Sequence, residues 1–257
     1  MLLSGRMVFA TAMAGFGIVS LVFVDFVKQL QPVGELVPAS TPGYGLLAIL
    51  TGVVLIAAGL AIMANVKTYQ AAIVLTVLFA VWIVFLQVPS AFLNPSLLRS
   101  PWWVRTFETV VLAGTALILA GLTSQPTRKR WVRIGRLLFG VSLPVFGVLH
   151  FIYAENVASL VPSVYPWPLF LAYFTGAAKL AAGAAIAVGV LPRLAAIMVA
   201  ILYGAYALTL HIPHQFMDQP VGYQPRGVTS MFVAIAFCGA ALIVAGSLAR
   251  QDQPPDA

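Results

Sequence analysis

Charge and cysteine are scarce in this sequence. Only 8% of its 257 residues are charged, whereas 61% are hydrophobic. Charged side chains make up about a quarter of an ordinary soluble domain, so a soluble chain of this length would lack the charge to cover its surface. The single cysteine, Cys238, has no partner in the chain for a disulfide, and we interpret it as a small packing residue. The composition indicates an integral membrane protein.

The alternation of polar and apolar residues that is typical of membrane β-barrels is also missing. The apolar residues instead form long runs, and a bilayer core about 30 Å thick needs roughly 20 such residues per helix. Eight segments meet that length: 6–26, 44–64, 70–88, 104–123, 134–153, 168–188, 193–211 and 227–248. The sequence therefore predicts an all-α polytopic membrane protein with eight transmembrane helices.

Motifs of soluble enzymes are absent from the sequence as well. It contains no P-loop, no glycine-rich dinucleotide turn after a strand, no cysteine pair and no metalloprotease signature. The short connections between the apolar segments leave no room for a catalytic domain outside the membrane. Whether the chain is an enzyme stays open at this stage.

The order of segments occurs twice. Gly5-Arg6 and Gly135-Arg136 each open an apolar run, so we interpret the first segment as a helix and not as a signal peptide. Further ordered matches are Leu36-Val37-Pro38 with Leu160-Val161-Pro162, Thr51-Gly52 with Thr175-Gly176, and Gly114 with Gly239. An even number of helices per copy makes the repeats parallel. We predict two parallel-repeat four-helix bundles at 1–123 and 134–250, a basic linker at 124–133 and a disordered tail at 251–257.

The Lys and Arg residues are distributed unevenly between the two membrane faces. Nine fall on the side of the termini and the linker: Arg6, Lys67, Arg128, Lys129, Arg130, Arg133, Arg136, Arg193 and Arg250. Four fall on the other side: Lys28, Arg99, Arg105 and Arg226. The positive-inside rule predicts a multi-pass protein of the cell (plasma or inner) membrane with both termini cytoplasmic. We attribute the basic linker to topology and anionic lipid, not to nucleic acid.

Ionisable residues within membrane segments are costly and are the default candidates for function. Lys179 lies near the middle of the sixth segment. His150, Glu155, His211 and His214 fall at the outer ends of the fifth and seventh segments, about 15 Å from Lys179 along the membrane normal. These five residues are the candidates for a polar site.

The first repeat lacks this cluster. The matched positions hold Ser20 for His150, Leu55 for Lys179, Gln87 for His211 and Ser90 for His214, and only Asp25 keeps the carboxylate of Glu155. We therefore predict that the ionisable cluster belongs to the second repeat alone, in the outer half of its helices.

Several kinds of chemistry fit these side chains. Histidines with a carboxylate ligate transition metals, and histidines on facing helices ligate haem. A histidine near the interface also binds a quinone carbonyl or relays a proton. Alternatively, His150 and His211 are structural hydrogen-bonding residues, and Lys179 pairs with Glu155 or with a backbone carbonyl. Pro213 is expected to end its helix, which leaves the His211–His214 geometry open and a metal site unassigned.

The second repeat resembles the DoxX-like superfamily of small four-helix membrane proteins. The resemblance lies in Gly135-Arg136-Leu137-Leu138-Phe139-Gly140, Phe146-Gly147-Val148-Leu149-His150-Phe151, Thr175-Gly176-Ala177-Ala178-Lys179-Leu180, and His211-Ile212-Pro213-His214. It implies a fused pair of such units and, since relatives include quinone-reactive subunits, a quinone as cofactor. One departure is Lys179, where members often have Glu.

Three functions follow from these observations. The first is a quinone-linked redox or stress-response membrane component, and the second is a small-molecule or lipid transporter. The third is a non-catalytic scaffold subunit of a membrane complex. The expected partners are the lipid bilayer and a membrane protein complex or a second copy of the chain. The cofactor stays open, with a quinone as one candidate and haem or a metal ion as weaker ones.

Overall fold

A computed structural model describes residues 1–93, 102–123, 128–216 and 224–249, without the side chains of 128 and 224–226. These residues form helices and connections and include no strand. Eight of the helices are long and apolar enough to cross a membrane. The protein is therefore an all-α polytopic membrane protein, as the sequence predicts. Arg99, Arg250 and the predicted tail lie outside the described residues.

Each half contains four membrane-spanning helices, the third of which continues through a π-helical segment into a short terminal helix, and one separate short helix. The first half comprises α1 (Leu2–Phe23), the short α2 (Val33–Leu36), α3 (Tyr44–Ala64), α4 (Thr68–Trp82), a π-helical segment (Ile83–Gln87) that leads into α5 (Val88–Leu93), and α6 (Trp102–Thr123). The second half comprises α7 (Arg128–Ile152), the short α8 (Ala154–Ser159), α9 (Pro168–Val188), α10 (Pro192–Ala205), a π-helical segment (Tyr206–His211) that leads into α11 (Ile212–His214), and α12 (Gln224–Ala249). The same order of elements thus occurs in both halves.

The helix ends predicted from the sequence agree with the structure for the second long helix of each repeat. They differ at the linker between the repeats. Segments 44–64 and 168–188 coincide with α3 and α9. The predicted linker, in contrast, is mostly helical, because α7 already begins at Arg128. At 25 residues this helix is about 37 Å long, so its basic first turns extend beyond a hydrocarbon core of about 30 Å. Residues 124–127 lie outside the described part of the chain.

Tight turns join the second and third long helices of each half. Asn65 ends α3 and Gly189 ends α9, and both adopt the left-handed conformation, with φ of 58° and 87°. Asparagine and glycine are the residues that tolerate this helix-ending geometry best. Because the connections are short, α3 packs against α4 and α9 packs against α10.

The two repeats interlock, which refines the prediction of two four-helix bundles. The first helix of each repeat packs along the last helix of the other: α1 lies against α12, and α7 lies against α6. Contacts run in a closed series from α1 through α3, α4, α6, α7, α9, α10 and α12 back to α1, and α6 also contacts α12. The helices α6 and α12 are the most buried of the eight. Each repeat therefore completes the packing of the other.

Glycines at matched positions of the two repeats allow these close contacts between helices. A Cβ on Gly135 of α7 would lie 2.3 Å from the Gly114 carbonyl oxygen of α6. At the matched contact between α12 and α1, a Cβ on Gly239 would lie 2.4 Å from the Phe9 nitrogen. Small residues are what membrane helices use to approach closely, because lipid provides no hydrophobic drive between them.

Candidate functional site

A cavity of about 550 Å³ lies among the helices of the second half. Apolar side chains from α7 and α12, among them Phe146, Val233 and Phe237, form much of its wall. The segment after α8, including Val161 and Pro162, also lines it. Its volume is in the range of small-molecule sites, and a few polar groups face this apolar lining.

Lys179 and His150 form the central polar pair of the cavity. Lys179 is only 2% exposed, and its Nζ lies 2.8 Å from His150 Nε2. The helices that carry them approach closely at Gly176, where an added Cβ would lie 2.9 Å from the His150 Cβ. Because Gly176 is one helical turn from Lys179, this close approach sets the two side chains side by side. The sequence alternative in which Lys179 pairs with Glu155 is wrong.

The hydrogen bonds of His150 determine where the protons lie. Its Nδ1 is 2.9 Å from the Phe146 carbonyl oxygen, which accepts only, so Nδ1 donates. A single proton then occupies the line between Nε2 and Lys179 Nζ. Lys179 Nζ keeps further N–H groups for a ligand in the cavity.

The rings of two tyrosines also lie close to Lys179 Nζ. Lys179 Nζ lies 5.4 Å from the ring centroid of Tyr203 and 4.9 Å from that of Tyr206. Cations within about 6 Å of an aromatic face are stabilised by the ring quadrupole, more so when they are desolvated. These rings, which the sequence did not single out, keep Lys179 at the cavity wall.

The first repeat also contributes polar groups, so the prediction that the cluster belongs to the second repeat alone is wrong. Glu108 of α6 lines the cavity and is 7% exposed. Gln29, from the connection after α1, lies with its Nε2 3.0 Å from each carboxylate oxygen of Glu108. The sequence carried a signal for this residue, because a carboxylate within the apolar run 104–123 is itself a functional candidate.

The remaining predicted residues are divided between the cavity and the surface. His211 lines the cavity, whereas Glu155 and His214 do not. Glu155 is exposed and His214 is half-buried. The structure thus brings together three of the five predicted residues.

Pro213 does not end its helix, contrary to the expectation from sequence. The chain passes through the π-helical segment into α11, which includes Pro213 and continues to His214. Proline has no N–H to donate and its ring clashes with the preceding turn of an α-helix, and the wider π turn relieves that conflict. This wider turn also places Tyr206 and His211, five residues apart, on the same cavity.

Buried apolar side chains stand at three of the matched positions in the first half. Leu55 stands at the position of Lys179, Phe79 at that of Tyr203, and Trp82 at that of Tyr206, all of them buried. The polar cavity is therefore a specialisation of the second half, completed by Glu108 and Gln29 from the first.

Among the described residues, no group of three His, Cys, Asp or Glu side chains is placed to hold a metal ion. The fold and the cavity together define a class, the polytopic membrane proteins with a polar pair inside an intramembrane cavity. Comparisons of the chain with protein-family models, with curated proteins and with solved structures give no match.

Proposed function

We propose that this protein is a DoxX-like membrane component that binds a lipid-soluble quinone in the cavity of its second half. The observation that carries the proposal is the contact of buried Lys179 with half-buried His150 in a mostly apolar cavity. A quinone head group has carbonyl oxygens that accept hydrogen bonds, and Lys179 has N–H groups to donate. Charge-assisted hydrogen bonds of this kind are the strong ones in a dry site.

The cavity also suits the apolar part of such a ligand. Phe146, Val233 and Phe237 offer an aromatic and aliphatic wall for a ring and an isoprenoid tail. Small-molecule sites typically combine apolar walls with a few polar groups that orient the ligand. His150, Lys179 and His211, which belong to the segments that resemble the DoxX-like superfamily, all line this cavity, and this supports the proposal.

The proposed setting is the cell (plasma or inner) membrane with both termini cytoplasmic. The excess of Lys and Arg on the side of the termini supports this orientation. A quinone-linked role requires a redox partner that exchanges electrons with the quinone, so the proposal includes a membrane complex around the protein.

Quinone binding by the purified protein tests the proposal. We expect saturable binding of a short-chain benzoquinone in calorimetry and a quinone among the lipids that mass spectrometry finds bound after gentle solubilisation. The Lys179→Leu variant, which installs the residue of the first repeat, is expected to bind at least about tenfold more weakly, because it removes a charge-assisted hydrogen bond.

Glu155→Gln is the matched control, since Glu155 is ionisable and exposed but does not line the cavity. It should bind like the wild type. If the wild type shows neither saturable binding nor a co-purified quinone, the proposal is wrong. Uptake of a solute into proteoliposomes that depends on Lys179, without quinone binding, would favour the transporter instead.

A further inference from the structure

The cavity has a second polar end, and the first repeat supplies it. The two carboxylate oxygens of Glu108 each lie 3.0 Å from Gln29 Nε2. Gln29 is held in turn by Ser230 of α12, whose Oγ donates to Gln29 Oε1 at 3.2 Å. The amide of Gln29 therefore turns its N–H groups toward Glu108, and the Glu108 carboxylate is positioned by both halves of the molecule.

The two polar ends have opposite hydrogen-bonding character. Lys179 presents N–H donors, whereas both carboxylate oxygens of Glu108 are placed to accept from Gln29 Nε2, an arrangement that favours the ionised form, which is an acceptor only. Both side chains line the same cavity. Within the part of the chain that the structure describes, Lys179 and Glu108 do not form an ion pair with each other. A ligand that bridges these two ends needs an acceptor at one end and a donor at the other.

We infer that the cavity prefers the reduced, hydroxyl-bearing quinol over the quinone, and that Glu108 is the residue that determines this specificity. A quinol oxygen accepts from Lys179, and its other hydroxyl donates to the carboxylate of Glu108. A quinone has two acceptor ends, so one of its carbonyls would face the carboxylate without a donor between them. Sites built to bind a ligand hydroxyl discriminate strongly against analogues that lack it. This inference rests on the proposed quinone function.

Anaerobic titration with a short-chain benzoquinone and with its quinol tests the inference. We expect the wild type to bind the quinol about tenfold more tightly, as the loss of one hydrogen bond to a charged group implies. In Glu108→Gln the preference should shrink to within about twofold, because the amide both donates and accepts. Glu108→Val, which installs the residue found at the matched position Val233, should lose the preference as well.

Glu155→Gln serves as the control and should keep the wild-type ratio. Thermal unfolding of each variant in detergent checks that it is folded before its ratio is compared. Equal or tighter binding of the quinone by the wild type would overturn the inference and leave the proposed function standing. An unchanged ratio in both folded Glu108 variants would remove Glu108 from its role. If neither ligand binds the wild type, the proposed function fails, and the inference fails with it.

Discussion

Lys179 is kept inside the membrane by a small set of neighbours. A charged group in hydrocarbon is costly unless it is paired, and His150 Nε2 at 2.8 Å is its hydrogen-bond partner. Tyr203 and Tyr206 add cation–π contacts. The matched residues of the first repeat, Ser20 and Leu55, need no such arrangement because Leu55 is apolar and fully buried.

Removing one member of this pair is therefore expected to cost more than removing both. His150→Ala should lower the free energy of unfolding by about 2 kcal/mol, because Lys179 loses its partner. The double variant His150→Ser/Lys179→Leu, which copies the first repeat, should stay within about 1 kcal/mol of the wild type. Thermal unfolding midpoints in a mild detergent, followed by circular dichroism, measure the difference. A double variant less stable than His150→Ala would contradict this account.

At the scale of the elements, matched glycines and π-helical segments decide how the helices meet. Gly135 brings α7 against α6, and Gly239 brings α12 against α1. The π-helical segments precede a proline in both halves, Pro89 within α5 and Pro213 within α11. In the second half this wider turn carries Tyr206 and His211 to the cavity, so an irregularity of the helix builds part of the site.

The glycine contact between α6 and α7 predicts a stability effect of a single methyl group. Gly135→Ala should lower the unfolding free energy by about 2 kcal/mol, because its Cβ would lie 2.3 Å from the Gly114 carbonyl oxygen and overpacking costs about 1–3 kcal/mol. Gly204→Ala is the matched control, since its nearest neighbour, Cys238 Sγ, is 3.5 Å away. That variant should be neutral or slightly stabilising, as alanine is the better helix former. Equal losses in both variants, measured by thermal unfolding, would show that the close contact is not the cause.

At the scale of the whole molecule, the two repeats form one interlocked body. The contacts of α1 with α12 and of α6 with α7 cross from one repeat to the other. The cavity likewise takes Glu108 and Gln29 from the first half and Lys179 and His150 from the second. A separated half would expose the helix faces that the other half covers.

Expressing the halves as separate chains, cut within 124–127, tests this arrangement. We expect the two chains to co-purify as a one-to-one complex, because the interface between them includes two full helix pairs. Size-exclusion chromatography and pull-down through a tag on one half measure the association, with the uncut protein as the reference. Halves that purify separately as stable monomers would contradict the interlocked packing.

The apolar runs predicted all eight spanning helices, because each run must satisfy its own backbone hydrogen bonds in lipid and only a helix does so. The predicted ends of α3 and α9 agree with the structure because the apolar runs of these two segments begin and end abruptly in the sequence. The start of α7 did not, because its first turns are basic and were assigned to the linker. The repeat bounds at 1–123 and 134–250 stay a prediction, as does the relation to the DoxX-like superfamily.

The sequence by itself determined that this is a helical membrane protein and that Lys179, His150 and His211 are worth attention, because hydropathy and buried charge are properties of single positions. The tertiary structure alone decided that Lys179 pairs with His150, that Glu108 and Gln29 complete the cavity, and that Glu155 stays outside it. Those outcomes depend on which helices pack together. Packing depends on contacts such as those of α12 with α1, which join residues from opposite ends of the described chain.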